Sequence, residues 1–128
     1  MSDALVLIVD DDRNVLGALQ RLLRRAGYGV LTSAEPREAL AQLDGVGVVV
    51  SDFLMPGMDG LEFLRRVRAA RPQTTRYLVT GSIGLCGVSA AVGEGTVSAV
   101  FPKPWDDGML LYAVRRGQEL YKDACAHD

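Results

Sequence analysis

Histidine occurs once, at His127, and cysteine twice, at Cys86 and Cys125. With the one imidazole at a tail position, a His-based catalytic triad is nearly excluded, and the pair of cysteines builds neither a structural zinc site nor a disulfide framework. Both thiols read as reduced and without a role, and His127 as a tail residue. No apolar run approaches the ~20 residues of a membrane span, and Met1-Ser2-Asp3 lacks the basic start of a secretory signal. The expectation is a cytoplasmic chain with no membrane partner. A basic excess is missing too: sixteen acids against fourteen bases leave a net charge of −2. That balance lacks the footprint of direct nucleic-acid binding. Neither Gly-x-x-x-x-Gly-Lys nor Gly-x-Gly-x-x-Gly follows the first apolar run, so nucleotide loops of those kinds are excluded. What remains is 128 residues, 48% apolar and 23% charged, the balance of one globular domain.

The apolar pattern alternates between two periods. Ala4–Val9 is a continuous apolar run ending in acids, as in a strand buried on both faces. Val15, Leu16, Leu19, Leu22, Leu23 and Ala26 recur at helical spacing over Asn14–Ala26, with Gly27 closing the helix. Gly29–Thr32 reads as a strand. Pro36 opens a helix to Leu43 that Asp44-Gly45 ends. Val46–Ser51 is a second buried strand, and Asp59 and Glu62 have capping-box spacing for a helix running to Ala70. Arg76–Thr80 and Ser98–Phe101 read as further strands. Between them Gly84, Gly87, Gly93 and Gly95 weaken the fourth helix, at ~1 kcal/mol per interior glycine. From Asp106 a last helix turns Leu110, Leu111, Val114 and Tyr121 inward. Five strands alternating with five helices predict an α/β domain, a parallel sheet covered on both faces.

In such sheets ligands bind beyond the carboxyl ends of the strands. Asp10, Asp11 and Asp12 follow strand one, Asp52 follows strand three, Thr80 ends strand four and Lys103 follows strand five. Carboxylates gathered at low dielectric repel one another unless a cation or a proton joins them. Mg2+, which takes oxygen ligands and keeps several waters, fits that demand. A carboxylate, a hydroxyl and an ammonium around a divalent ion make a phosphoryl site. Asp is a known covalent phosphoryl acceptor, and charge neutralisation is what the transfer asks of the protein.

These residues, in this order, resemble the receiver (phosphoacceptor) domain of two-component response regulators. The resemblance rests on Val9-Asp10-Asp11, on Ser51-Asp52-Phe53-Leu54-Met55-Pro56-Gly57-Met58-Asp59-Gly60, on Val79-Thr80-Gly81 and on Lys103-Pro104. It spans Leu5 to about Tyr121. It implies a flavodoxin-like (βα)5 doubly wound parallel sheet of strand order 2-1-3-4-5, one receiver domain over residues 1–128 with an ordered core of about 4–122. It further implies that Asp52 is the phosphoacceptor. Asp11, Asp52 and the main-chain carbonyl of Leu54 would bind Mg2+, with Asp10 acting through a water. Thr80 would be the switch hydroxyl and Lys103 the lysine that pairs with the phosphoryl group. Lys103-Pro104 is usually cis in the family. Asp12 reads as a surface acid, and Met55, Pro56, Asp59 and Gly60 as shapers of the loop and helix. The implied donor is a histidine kinase or a histidine phosphotransfer protein, and an effector domain or protein is the implied recipient. On this reading the chain is no enzyme toward other substrates and catalyses only its own phosphorylation and dephosphorylation. Leu54 and Ser82, two residues after the phosphoacceptor and the switch threonine, would flank the path of the hydrolytic water.

The sequence also departs from the family. Three residues before the lysine the family carries Tyr or Phe, and here stands Val100. Phe101 is adjacent, but a shift of one residue in a strand points to the other face. Pro102 suits a strand end. With the glycine-rich fourth helix, these departures leave the phosphorylation site intact and bear on the output route through helix four, strand five and helix five. Trp105 reads as packing at the start of the last helix, and Trp105-Asp106-Asp107 is similar to receivers attached to hybrid kinases or cyclic-dinucleotide phosphodiesterases. Two other readings compete. A pseudo-receiver would bind partners without phosphorylation, although such domains usually lose an acid, the Thr or the Lys. A haloacid-dehalogenase-type phosphatase would use Asp10 and Asp12, but Asn14 stands where that motif has Thr or Val.

Overall fold

The structure, a computed structural model, describes residues 4–81 and 88–126. The sequence readings at Ser82, Gly84, Cys86, Gly87 and His127 lie outside them. Ten elements alternate: β1 (Leu5–Val9), α1 (Arg13–Arg25), β2 (Val30–Ser33), α2 (Pro36–Leu40), β3 (Val46–Asp52), α3 (Gly60–Ala70), β4 (Thr75–Thr80), α4 (Val88–Gly93), β5 (Ala99–Pro102) and α5 (Asp107–Ala126). All pairings are parallel, and the strand order is β2-β1-β3-β4-β5. The predicted order is therefore observed.

The apolar strands are continuous because each has helices on both faces. Leu7, Val9, Val49 and Leu78 pack with Phe63, Leu64 and Val67 of α3 and with Ala39 and Ala91 of α2 and α4. Val6, Ile8, Val48, Val50 and Val79 pack with Leu16, Leu19 and Leu23 of α1 and with Leu110 and Val114 of α5. Val100 packs toward the first cluster and Phe101 toward the second, on opposite sides of the sheet as their alternation requires. Phe101 meets Tyr77 edge-on, with ring centroids 5.5 Å apart.

Most element bounds shift by a residue or so from expectation, and two boundaries and one buried face differ instructively. α2 stops at Leu40, because the chain tightens there (the Gln42 N–H donates to the Ala39 carbonyl, 2.9 Å) to drop Leu43 into the core. β2 begins at Val30, while Gly29 still accepts from the Val6 N–H at 2.9 Å. On α5 the buried face is Leu110, Ala113, Val114, Gly117 and Gln118, whereas Leu111 and Tyr121 are half-buried. The reason is a close approach. Thr75 Oγ1 donates to the Gly117 carbonyl (2.9 Å) and the Tyr77 hydroxyl donates to the Ala113 carbonyl (2.6 Å). A Cβ on Gly117 would lie 2.9 Å from Val48 Cγ2.

Candidate functional site

The site forms where the carboxyl ends of β1, β3 and β4 meet the loop after β5. Asp10 follows β1 and is buried, at 2% exposure. Both its oxygens are engaged: Oδ1 accepts from the Asp12 N–H at 2.9 Å, and Oδ2 pairs with Lys103 Nζ at 2.7 Å. Asp11 faces solvent. Asp12 is exposed as read, and it has a task the sequence reading missed: it is the N-cap of α1, accepting from the Asn14 N–H at 2.8 Å.

Asp52 ends β3 opposite Val79 of β4 and is also buried. Its Oδ1 accepts from the Phe53 N–H at 2.9 Å and pairs with Lys103 Nζ at 3.1 Å. One ammonium therefore bridges carboxylates from two strands. Carboxylate oxygens of Asp10, Asp11 and Asp52 all lie within 4.8 Å of one another. Thr80 ends β4, buried, and its carbonyl accepts from the Lys103 N–H at 3.0 Å. Lys103-Pro104 is cis. Leu54, two residues after Asp52, is 59% exposed. Trp105 is half-buried against the α1–α5 side of the core, and its Nε1 donates to Asp107 Oδ1 at 3.0 Å.

The loop from β3 to α3 is tied at both ends. The Gly60 N–H donates to the Phe53 carbonyl at 2.7 Å, and the Asp59 side chain caps α3 by accepting from the Glu62 N–H at 2.9 Å. Only half of the capping box forms, because Glu62 turns outward to Arg66 at 3.1 Å.

Burial raises the Asp52 pKa above the ordinary carboxylate value. The Lys103 hydrogen bond opposes that, the Asp10 charge adds to it, and the Lys103 charge and the Phe53 N–H pull against it. Burial also works against the Lys103 ammonium, but its bonds and charge contacts with Asp10 and Asp52 outweigh it and raise the lysine pKa. Three carboxylates and one ammonium leave the cluster with surplus negative charge, carried on hard oxygen donors. That donor set fits a divalent cation.

The raised Asp52 pKa sets a prediction. A carboxyl whose folded pKa lies above its unfolded one favours folding while protonated. Its contribution therefore falls as pH rises through the folded value and stays unfavourable at neutral pH. Asp52→Asn removes that cost, so without divalent cation its Tm at neutral pH is expected to exceed wild type by about 4 °C for each kcal/mol relieved. The gap should shrink as pH is lowered toward the ordinary carboxylate range. Thermal melts across pH check this, and a lower Tm for Asp52→Asn would show that its pairing with Lys103 dominates.

The strand order and the acidic cluster at the strand ends define the class, a five-stranded parallel α/β module with an acidic pocket, and the comparisons agree. The model of the response regulator receiver domain matches residues 6–115, and the chain belongs to that family. It is 38% identical over 116 residues to the C4-dicarboxylate transport transcriptional regulatory protein DctD of Rhizobium meliloti, covering 89% of this chain and 25% of that protein. It is 37% identical over 123 residues to the hydrogenase transcriptional regulatory protein HoxA of Cupriavidus necator, covering 93% and 25%. This chain thus spans about a quarter of the length of those relatives. Among solved structures, the signal receiver domain of an HD domain-containing protein from Pseudomonas fluorescens is 34% identical, with a TM-score of 0.88 over 96% of this chain and 92% of that one. A CheY-like receiver domain protein from Methanospirillum hungatei is 27% identical, with a TM-score of 0.87 over 95% and 98%. Among the described residues no helix is long and apolar enough to cross a membrane.

Proposed function

We propose that this chain is a cytoplasmic phosphoacceptor switch that takes a phosphoryl group from a phosphohistidine onto Asp52. The observation that carries the reading is the Lys103 ammonium, bonded at 2.7 and 3.1 Å to carboxylates that leave two different strands. In the transfer an Asp52 carboxylate oxygen forms the new P–O bond as the P–N bond to the donor imidazole breaks. Lys103 would neutralise charge on the equatorial oxygens, and the Thr80 hydroxyl would bond one of them. Asp11, Asp52 and the Leu54 carbonyl would hold Mg2+, with Asp10 acting through a water. When bound, the ion supplies further neutralisation of phosphoryl charge. Asp10 stays fixed by the Asp12 N–H and Lys103. The donor would be a histidine kinase or histidine phosphotransfer protein docking on exposed Arg13, Asn14 and Arg21 of α1 and on Pro104. The recipient of the signal would be an effector domain or protein.

Incubation with a small phosphodonor and Mg2+ is expected to raise the intact mass by one phosphoryl group. Asp52→Asn should not gain it, and Asp11→Asn should need far more Mg2+. Labelling that persists in Asp52→Asn overturns the assignment. Label on Asp10 would favour the phosphatase reading, and no label in wild type the pseudo-receiver.

A further inference from the structure

α4 is a weak helix with a strong end. Among the described residues it runs over Val88–Gly93, with Val88 and Ala91 buried. Its last carbonyls are taken by the N–H groups that follow: Glu94 donates to Ala90 at 2.9 Å, Gly95 to Val92 at 3.1 Å, and Thr96 and Val97 to Ala91 at 2.9 and 3.2 Å. Two arginines then hold the carbonyls of that closing turn. Arg68 of α3 donates from Nη1 to the Glu94 carbonyl at 2.9 Å. Arg76 of β4 donates from Nη2 to the Gly95 carbonyl at 3.2 Å and from Nε to the Thr96 carbonyl at 2.9 Å. Three successive carbonyls after α4 thus end on guanidinium groups, where cations also suit the negative end of the helix.

Arg76 is only 6% exposed, and burial together with the Arg68 charge lowers its pKa. It makes no ion pair among the described residues. Its Nη1 donates to the Thr74 carbonyl at 2.7 Å and to Thr74 Oγ1 at 2.9 Å, so carbonyls and a hydroxyl take the place of a carboxylate. The Arg76 backbone joins the same segment: its N–H donates to Ser98 Oγ at 3.2 Å, and its carbonyl accepts from the Ser98 N–H at 2.7 Å. Glu94 closes the outside, taking Thr96 Oγ1 at 2.9 Å and pairing with Arg65 at 3.5 Å. Gly95 turns the chain at a φ of +88°, which leaves its carbonyl free to reach Arg76.

We infer that Arg68 and Arg76 form a clamp that fixes the C-terminal end of α4 to α3 and to β4, the strand that ends in Thr80. Any displacement of α4 is then a swing of its Val88 end about an anchored Glu94–Thr96 turn. The clamp itself needs nothing from the phosphoacceptor reading, which supplies only what drives the swing.

Amide exchange and amide chemical shifts test this. Arg68→Met is the variant of choice, since losing buried Arg76 would strand its acceptors and threaten folding. In the unphosphorylated protein Arg68→Met is expected to speed exchange of the Thr96 and Val97 amides about tenfold, with Leu7–Val9 unchanged. Arg66→Met, on the same helix but outside the clamp, should leave them alone. Unchanged Thr96 and Val97 exchange in Arg68→Met overturns the clamp. With Mg2+ and acetyl phosphate, wild-type shift changes should be large at Val88–Ala91 and near zero at Thr96–Ser98. Equal changes at both ends overturn the anchored swing. If the intact mass does not rise, the phosphoacceptor reading fails while the exchange result still decides the clamp.

Discussion

Gly60→Ala is expected to lower stability by about 3 kcal/mol, the upper range for forcing atoms into a packed interior. A Cβ at this position would lie 2.1 Å from the Asp52 carbonyl oxygen, 2.9 Å from Phe53 Cα and 3.0 Å from the Asp52 carbonyl carbon. These are backbone atoms, and they cannot step aside as a flexible side chain would. Asp52 is paired with Val79 in the sheet, and the Phe53 carbonyl is held by the Gly60 N–H itself. Two effects run the other way: alanine gains about 1 kcal/mol of helix propensity over glycine and restricts the unfolded chain. Both operate without opposition at Gly93, where an added Cβ meets nothing within 4 Å. The pair therefore separates the terms. In urea melts Gly93→Ala should match or exceed wild type while Gly60→Ala falls well below it. The surviving folded fraction of Gly60→Ala should also accept phosphate slowly, since relieving the clash displaces the Asp52 backbone. If the two variants melt alike, the close approach at Gly60 does not constrain the site.

A long-lived aspartyl phosphate is the second large effect expected. Hydrolysis needs a water in line with phosphorus, opposite the Asp52 oxygen. Leu54, two residues beyond Asp52 in the chain, is a large apolar residue, 59% exposed. It offers no hydrogen bond to hold such a water, and its bulk competes for the space. Positioning a nucleophile is worth several kcal/mol, and each ~1.4 kcal/mol is tenfold in rate. Leu54→Asn is expected to shorten the phosphoprotein lifetime by about ten- to a hundredfold on that scale. The same bulk stands in the way of a donor, so Leu54→Asn should also be phosphorylated no more slowly than wild type. Decay of the purified phosphoprotein by intact mass measures the first, and uptake from a small donor the second. A wild type that loses its phosphate within seconds, or an unchanged decay in Leu54→Asn, refutes the argument.

Sheet and site chemistry were legible because they are written in composition along the chain. Four apolar runs flow into Asp10, Asp52, Thr80 and Lys103, and the rule that α/β sheets bind at their carboxyl ends turns those positions into one place. Features made by close approach were not legible. Gly117 sits in a helical pattern that favours Leu111 and Tyr121, and only the 2.9 Å gap to Val48 explains why a glycine faces inward there. Arg76 opens a strand and looks like one more surface base. Its burial depends on carbonyls at Thr74, Gly95 and Thr96, two of them some twenty residues away, and no local pattern encodes them. Asp12 could have been read as a cap, since an acid just before a helical run is the usual signal. Its place beside two site acids hid that simpler task.

The two hydroxyl bonds from Thr75 and Tyr77 to α5 reach carbonyls four residues apart, one turn up the same side of the helix. They act as teeth of a key. Turning α5 by one residue, about 100°, would withdraw both carbonyls and bring a side chain against Val48 where Gly117 now lies. Sliding it by one turn would set Ala113 or Tyr121 in that narrow seat. α5 is therefore an indexed shaft about 30 Å long, with its azimuth set by β4. Its exposed Met109, Tyr112 and Leu120 thus keep a fixed bearing on the strand that carries Thr80.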